Sequence, residues 1–159
     1  MNTMQRPGGD TARLFLALWP DDALRRALLW RRDAWLWPVS TVLVPPENFH
    51  LTLHFLGNVP ISRLPELTEL APGLGVPCEP FALSLGHAEL WPHGIAVLKP
   101  DEPDEPDAVP PPLAQLHEAL QLALTRLALP TENRAYRPHI TLARHAQAAV
   151  PPTRGPALR

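Results

Sequence analysis

The spacing of apolar positions along this chain switches between a period of two and one near 3.6, and the switches mark out its elements. Residues 13–19 read as a buried strand closed by Trp19-Pro20. Asp21 or Asp22 then caps a helix with Leu24, Leu28, Arg31 and Trp35 at helical spacing. Trp30, Trp35 and Trp37 cluster near its end and read as core in preference to a base-stacking platform. Residues 48–56 alternate as a second strand, ended by the turn chemistry of Gly57-Asn58. Ser62 caps a short helix to about Leu70, and the Pro- and Gly-rich stretch 71–80 is a loop. Phe81 to Leu90 and Ile95 to Lys99 form two strands joined across Trp91-Pro92-His93-Gly94. Pro112 opens a helix with an apolar stripe of Leu113, Leu116, Leu120, Leu124 and Leu127, leaving His117 on a solvated face. Arg137 to Arg144 is the last strand.

The order strand, helix, strand, helix, two strands, helix, strand predicts an α+β fold of two lobes related by a pseudo-twofold. A single domain is expected over 12–145, with a flexible start at 1–11, an acidic Pro-rich loop at 100–112 and a Pro-rich tail at 146–159. A chain of 159 residues can bury roughly two thirds of its unfolded surface, so no second domain is required.

Two strands carry the same signature 89 residues apart, His50-Leu51-Thr52-Leu53 and His139-Ile140-Thr141-Leu142. In a strand, residues i and i+2 share a face, so each copy sets an imidazole beside a hydroxyl while Leu51, Leu53, Ile140 and Leu142 face a core. Brought together, two such strands line a cleft with two histidines and two threonines, a set suited to general acid, general base and hydrogen bonding to an oxyanion. The His50 and His54 spacing would suit zinc on a helix, but the alternation of Leu51, Leu53 and Phe55 favours a strand, where His54 shares the face of His50 and Thr52.

Composition narrows the partners. A net charge of −2 gives no broad basic footprint for duplex nucleic acid, so an RNA ligand would be held by an end or a few nucleotides. Lys99 is the sole lysine, and the scattered arginines reflect codon bias more simply than a phosphate patch. The lone Cys78 allows neither an intrachain disulfide nor a zinc cluster, which favours the cytoplasm. No apolar run approaches the ~18 residues of a membrane span, and Met1 to Asp10 lacks a secretory h-region.

Around the signatures the match extends through Arg13-Leu14-Phe15-Leu16-Ala17-Leu18, Asn48-Phe49 and His54-Phe55-Leu56-Gly57, Gly94-Ile95-Ala96-Val97-Leu98, and Arg137-Pro138 and Ala143-Arg144. In these residues the chain resembles the 2H phosphoesterase superfamily, and within it the RNA 2′,3′-cyclic phosphodiesterase branch, historically called 2′-5′ RNA ligase. The resemblance implies antiparallel sheets lining a central cleft with helices outside. It implies hydrolysis of RNA 2′,3′-cyclic phosphate ends, or of a cyclic nucleotide, to 2′-phosphomonoesters, with reversible 2′-5′ ligation at the same site. It assigns His50 as the acid at O3′ and His139 as the base for water, with Thr52, Thr141 and Arg144 binding the phosphate and no metal or cofactor taking part.

Strict alternation sets Arg144 with Ile140 and Leu142, so it reaches the cleft only where the strand ends or bends after Ala143. Members of the branch usually continue with another apolar strand, whereas Val150 to Arg159 shows no strand pattern; an exposed edge or a partner chain is then expected, and the oligomeric state stays open. The rival reading is a noncatalytic module that binds RNA ends or nucleotides.

Overall fold

A computed structural model describes residues 9–70, 79–101, 105, 107–153 and 158. Among them, the strands β1 (Thr11–Leu18), β2 (Val42–Leu43), β3 (Leu51–Pro60), β4 (Leu85–Trp91), β5 (Ile95–Pro100) and β6 (Ile140–Arg144) form one antiparallel sheet, with the helices α1 (Asp22–Asp33), α2 (Leu64–Leu70) and α3 (Pro111–Arg126). The strand order is β1-β3-β6-β5-β4, with β2 beside the far end of β6. Each half repeats one plan: a strand, a helix and an antiparallel partner strand, β1-α1-β3 and β5-α3-β6. Between β3 and β6 the ladder consists of a single pair, Leu51 with Ile140.

The helices form where the pattern places them. Asp21 caps α1 by accepting a hydrogen bond from the Leu24 N–H at 2.8 Å, and Leu28 is fully buried. Pro110 precedes α3 and Pro111 opens it, one residue before the expected Pro112, while Leu113, Leu120 and Leu124 face inward. Leu28, Leu113 and Leu120 join Leu51, Leu53, Leu98, Ile140 and Leu142 in the main core. Leu56, Val59, Leu124 and Leu129 make a smaller one. Trp35 is 3% exposed and stacks on Trp37 at 4.9 Å, as a core reading requires, whereas Trp30 stands at the surface. Among the described residues no helix is long and apolar enough to cross a membrane.

The departures from the pattern have local causes. Gly57 does not end its strand: its φ of +71° lies opposite Leu14, where the register with β1 shifts by one residue, and the strand runs on to Pro60. A first shift, between the pairs Leu16–His54 and Ala17–Thr52, leaves Leu53 without a partner on β1 and turns His54 off the face of Thr52. Here His54 is 5% exposed and its Nε2–H donates to the His117 carbonyl of α3 at 2.8 Å. The His117 ring is not solvated as expected but sandwiched between His54 at 4.0 Å and Tyr136 at 3.9 Å. β6 begins three residues later than the pattern suggested because Pro138 has no N–H to offer a ladder.

The acidic segment is also more anchored than its composition implies. Lys99, 8% exposed, sends Nζ to Glu89 of β4 and to Asp107, both at 2.8 Å. Burial alone would lower its pKa, but the hydrogen bonds to Asp107 and Glu89 prevail and raise it. Pro100 belongs to β5, and Glu102, Pro103, Asp104 and Pro106 lie outside the described residues. So do 1–8, while Thr11 already sits in β1, and 71–78 of the expected loop, Cys78 included. Beyond Arg144, Val150 pairs with Leu36 and Leu158 pairs with Leu85 as isolated bridges that no strand pattern announced.

Packing yields two testable outcomes. Gly94 has φ +72°, and a Cβ there would lie 2.7 Å from the backbone nitrogens of Ala146 and Gln147. Gly94→Ala should therefore cost about 2–4 kcal/mol, read from urea unfolding. The second concerns pH: burial, then the neighbouring His54, lower the His117 pKa to about 4. The unfolded imidazole takes its proton near ~6.5, so stability is full above that value and declines as pH falls toward about 4. Denaturation midpoints measured across this range should show the decline, and His117→Phe should flatten it.

Candidate active site

The lone Leu51–Ile140 pair determines the geometry of the cleft. In an antiparallel ladder the neighbours of a pair face each other crosswise, so His50 lies opposite Thr141 and Thr52 opposite His139. Leu51 and Ile140 are buried beneath, and the four polar side chains project from the other face. Each half of the cleft thus combines the histidine of one signature with the threonine of the other.

Both rings are oriented in the same way. The Nδ1–H of His50 donates to the Asn48 carbonyl, and that of His139 to the Arg137 carbonyl, each at 2.7 Å and each two residues back. Fixing the proton on Nδ1 leaves Nε2 as the nitrogen facing the cleft chemistry, ready to accept a proton or, once protonated, to deliver one. Burial holds the His139 pKa below the ordinary imidazole value, and the charges of Arg137, Arg144 and His50 act the same way.

Aromatic rings back each histidine. Phe15 and Trp19 lie 4.9 and 5.1 Å from the His50 ring. Trp91 lies 4.4 Å from His139, and the Arg137 guanidinium covers Trp91 at 4.1 Å. Two cavities open from the four-residue centre. One of about 670 Å³ includes Thr52, His139, Trp91, Tyr136, Arg137 and Arg13 in its lining. The other, about 370 Å³, is walled by His50, Thr141, Arg144, Phe15 and Trp19 together with apolar residues of the β2 segment.

All five residues expected at the site, His50, Thr52, His139, Thr141 and Arg144, therefore border this centre. Arg144 gets there by a bulge: Thr141 pairs with Val97 and Ala143 with Ala96, so Leu142 is an extra residue and the alternation shifts past it. Leu142 and Ala143 are both buried, and Arg144 comes round beside Thr141. His54 lines the larger cavity with its Nε2–H committed to the His117 carbonyl of α3; among the described residues no three His, Cys, Asp or Glu side chains gather as metal ligands.

Three residues of the site were not singled out from sequence. Trp19 follows β1 and Trp91 ends β4, each directly before a proline, and the repeated Leu18-Trp19-Pro20 and Leu90-Trp91-Pro92 was the available signal. Tyr136 gave none beyond adjacency to the second signature. Its hydroxyl donates to the Thr52 carbonyl at 2.9 Å, and burial raises its pKa, keeping the phenol protonated.

Comparison with known proteins places the chain in a family and a fold. The LigT like Phosphoesterase family matches residues 21–97. The RNA 2′,3′-cyclic phosphodiesterase of Escherichia coli (strain K12) is 34% identical over 139 residues, covering 87% of this chain and 74% of the relative. The crystal structure of E. coli LigT complexed with NADP+ superposes with a TM-score of 0.71 at 31% identity, over 91% of this chain and 79% of that one. A crystal structure from Thermus thermophilus gives a TM-score of 0.67 at 27% identity, over 92% and 80%. With the doubled signature, the crossed His–Thr centre and these relatives in agreement, the chain belongs to the LigT-like 2H phosphoesterases.

Proposed function

We propose that this protein hydrolyses RNA 2′,3′-cyclic phosphate ends to 2′-phosphomonoesters with His139 as general base and His50 as general acid. The observation that carries the reading is the crossed arrangement of the two signatures, with both Nδ1 atoms tied to carbonyls and each Nε2 left free for proton transfer. Neutral His139 takes a proton from water through Nε2 as the oxygen attacks phosphorus. His50, protonated on Nε2, gives its proton to the departing O3′, leaving the phosphate on O2′. Thr52 and Thr141 donate to the nonbridging oxygens, and the Arg144 guanidinium meets the added negative charge. The lowered pKa of His139 supports its role as base, since it stays unprotonated further into acid.

The same groups would also serve ligation, the reverse of a transesterification that opens a 2′-5′ linkage to a cyclic phosphate. An RNA 5′-hydroxyl in the place of water would attack the same phosphorus, O3′ would leave with the His50 proton, and a 2′-5′ linkage would result. The E. coli relative is named for action on RNA 2′,3′-cyclic phosphates, which favours an RNA end over a free cyclic nucleotide as the natural substrate here.

Assays with a 2′,3′-cyclic phosphate-ended oligoribonucleotide test this. His50→Ala and His139→Ala should each lower kcat by roughly 10²–10⁴ while keeping a cooperative thermal transition; wild-type turnover in either would overturn the scheme. The kcat/KM profile should rise with pH through a midpoint on the acid side of ~6.5, because His139 must lose its proton, and fall again as the acid partner deprotonates. Activity should survive exhaustive chelation. Tight binding of the oligonucleotide without any product would instead establish a noncatalytic module.

A further inference from the structure

Between β3 and β6 the seam has few bonds of its own, while β2 continues it along the far end of β6. Beyond Leu51–Ile140 the ladder would next set Thr52 against His139 and Leu53 against Pro138, and a proline has no N–H to continue it. At that point a side chain takes over: the Tyr136 hydroxyl donates to the Thr52 carbonyl at 2.9 Å. The chain then runs straight from Tyr136 into Arg137, whose carbonyl holds Nδ1 of His139.

Tyr136 is in turn held from the helix side. Its ring lies 3.9 Å from that of His117 at 14°, and His117 lies 4.0 Å from His54 at 17°. His54 donates to the His117 carbonyl, closing the stack onto β3. Rings from α3, from β3 and from the segment leading into β6 thus meet in one column beside the cleft. A protonated phenol has one proton to give, and the Thr52 carbonyl receives it.

We propose that Tyr136 is a positioning residue for the two-histidine centre: its hydroxyl locks the Thr52 strand to the Arg137 carbonyl that orients His139, so that the two signatures keep their crossed register. Its effect on turnover is exerted through His139 and Thr52, and its kinetic consequence rests on the hydrolysis proposed above. The positional claim does not, since the state of the His139 ring can be read without substrate.

The test uses the full chain and its Tyr136→Phe variant, which removes one oxygen and keeps the ring stack. With adenosine 2′,3′-cyclic phosphate as the probe, kcat should fall about 10- to 100-fold with KM little changed, the expected size for a small displacement of reacting groups. Nitrogen-15 NMR of the histidine rings should find His139 of the wild type as the single Nδ1–H tautomer, and Tyr136→Phe should convert it to a mixture. An unchanged kcat would overturn the proposal, as would a raised KM at full kcat, which would place the hydroxyl on the substrate. A mixed tautomer in the wild type would overturn it without any variant. Should the wild type show no turnover of cyclic phosphates, the hydrolysis reading fails alone, and the tautomer comparison still decides the positioning role.

Discussion

Between β3 and β6 a single pair of residues, Leu51 opposite Ile140, crosses from one half of the sheet to the other, and the crossed placement of the four signature side chains depends on it. Buried on the apolar face, these two side chains tie the register to the core, because a slip by one residue would drive His50 and Thr52 inward and Leu51 into water. Core packing thereby sets the geometry of the cleft. The antiparallel crossing then sets the histidine of each copy against the threonine of the other.

Symmetry of backbone does not extend to environment. The two imidazoles have the same carbonyl tether, yet one half of the cleft is roomier, carries Trp91 under Arg137, and withdraws His139 from solvent, whereas the other is narrow and apolar around Phe15 and Trp19. The difference comes from residues outside the signatures.

That distinction also explains what the sequence disclosed. The signature strands, the capped α1, the leucine stripe of α3 and the five site residues were legible because each follows from a period or a short motif. The register shifts at Leu53, Leu56 and Leu142 were not: these are ordinary apolar residues, and what makes them bulges is how the partner strand pairs with them. For that reason alternation alone did not show that His54 bonds to α3 beside the larger cavity, or that Arg144, set by strict alternation with Ile140 and Leu142, comes round beside Thr141. β2, two residues long, is too short to carry a period, and His117 looked solvated because the ring that covers it, Tyr136, comes from 19 residues further along the chain.

Lys99 has a consequence of its own. It is the chain's sole ε-amine, and it lies in the sheet as an ammonium shared between Glu89 and Asp107. An amine so held has no free lone pair and little room for a reagent, so lysine-directed reagents find this side chain closed in the folded protein. Opening of the β4–β5 region would expose it, which makes amine reactivity a sensor of local unfolding at the edge of the cleft.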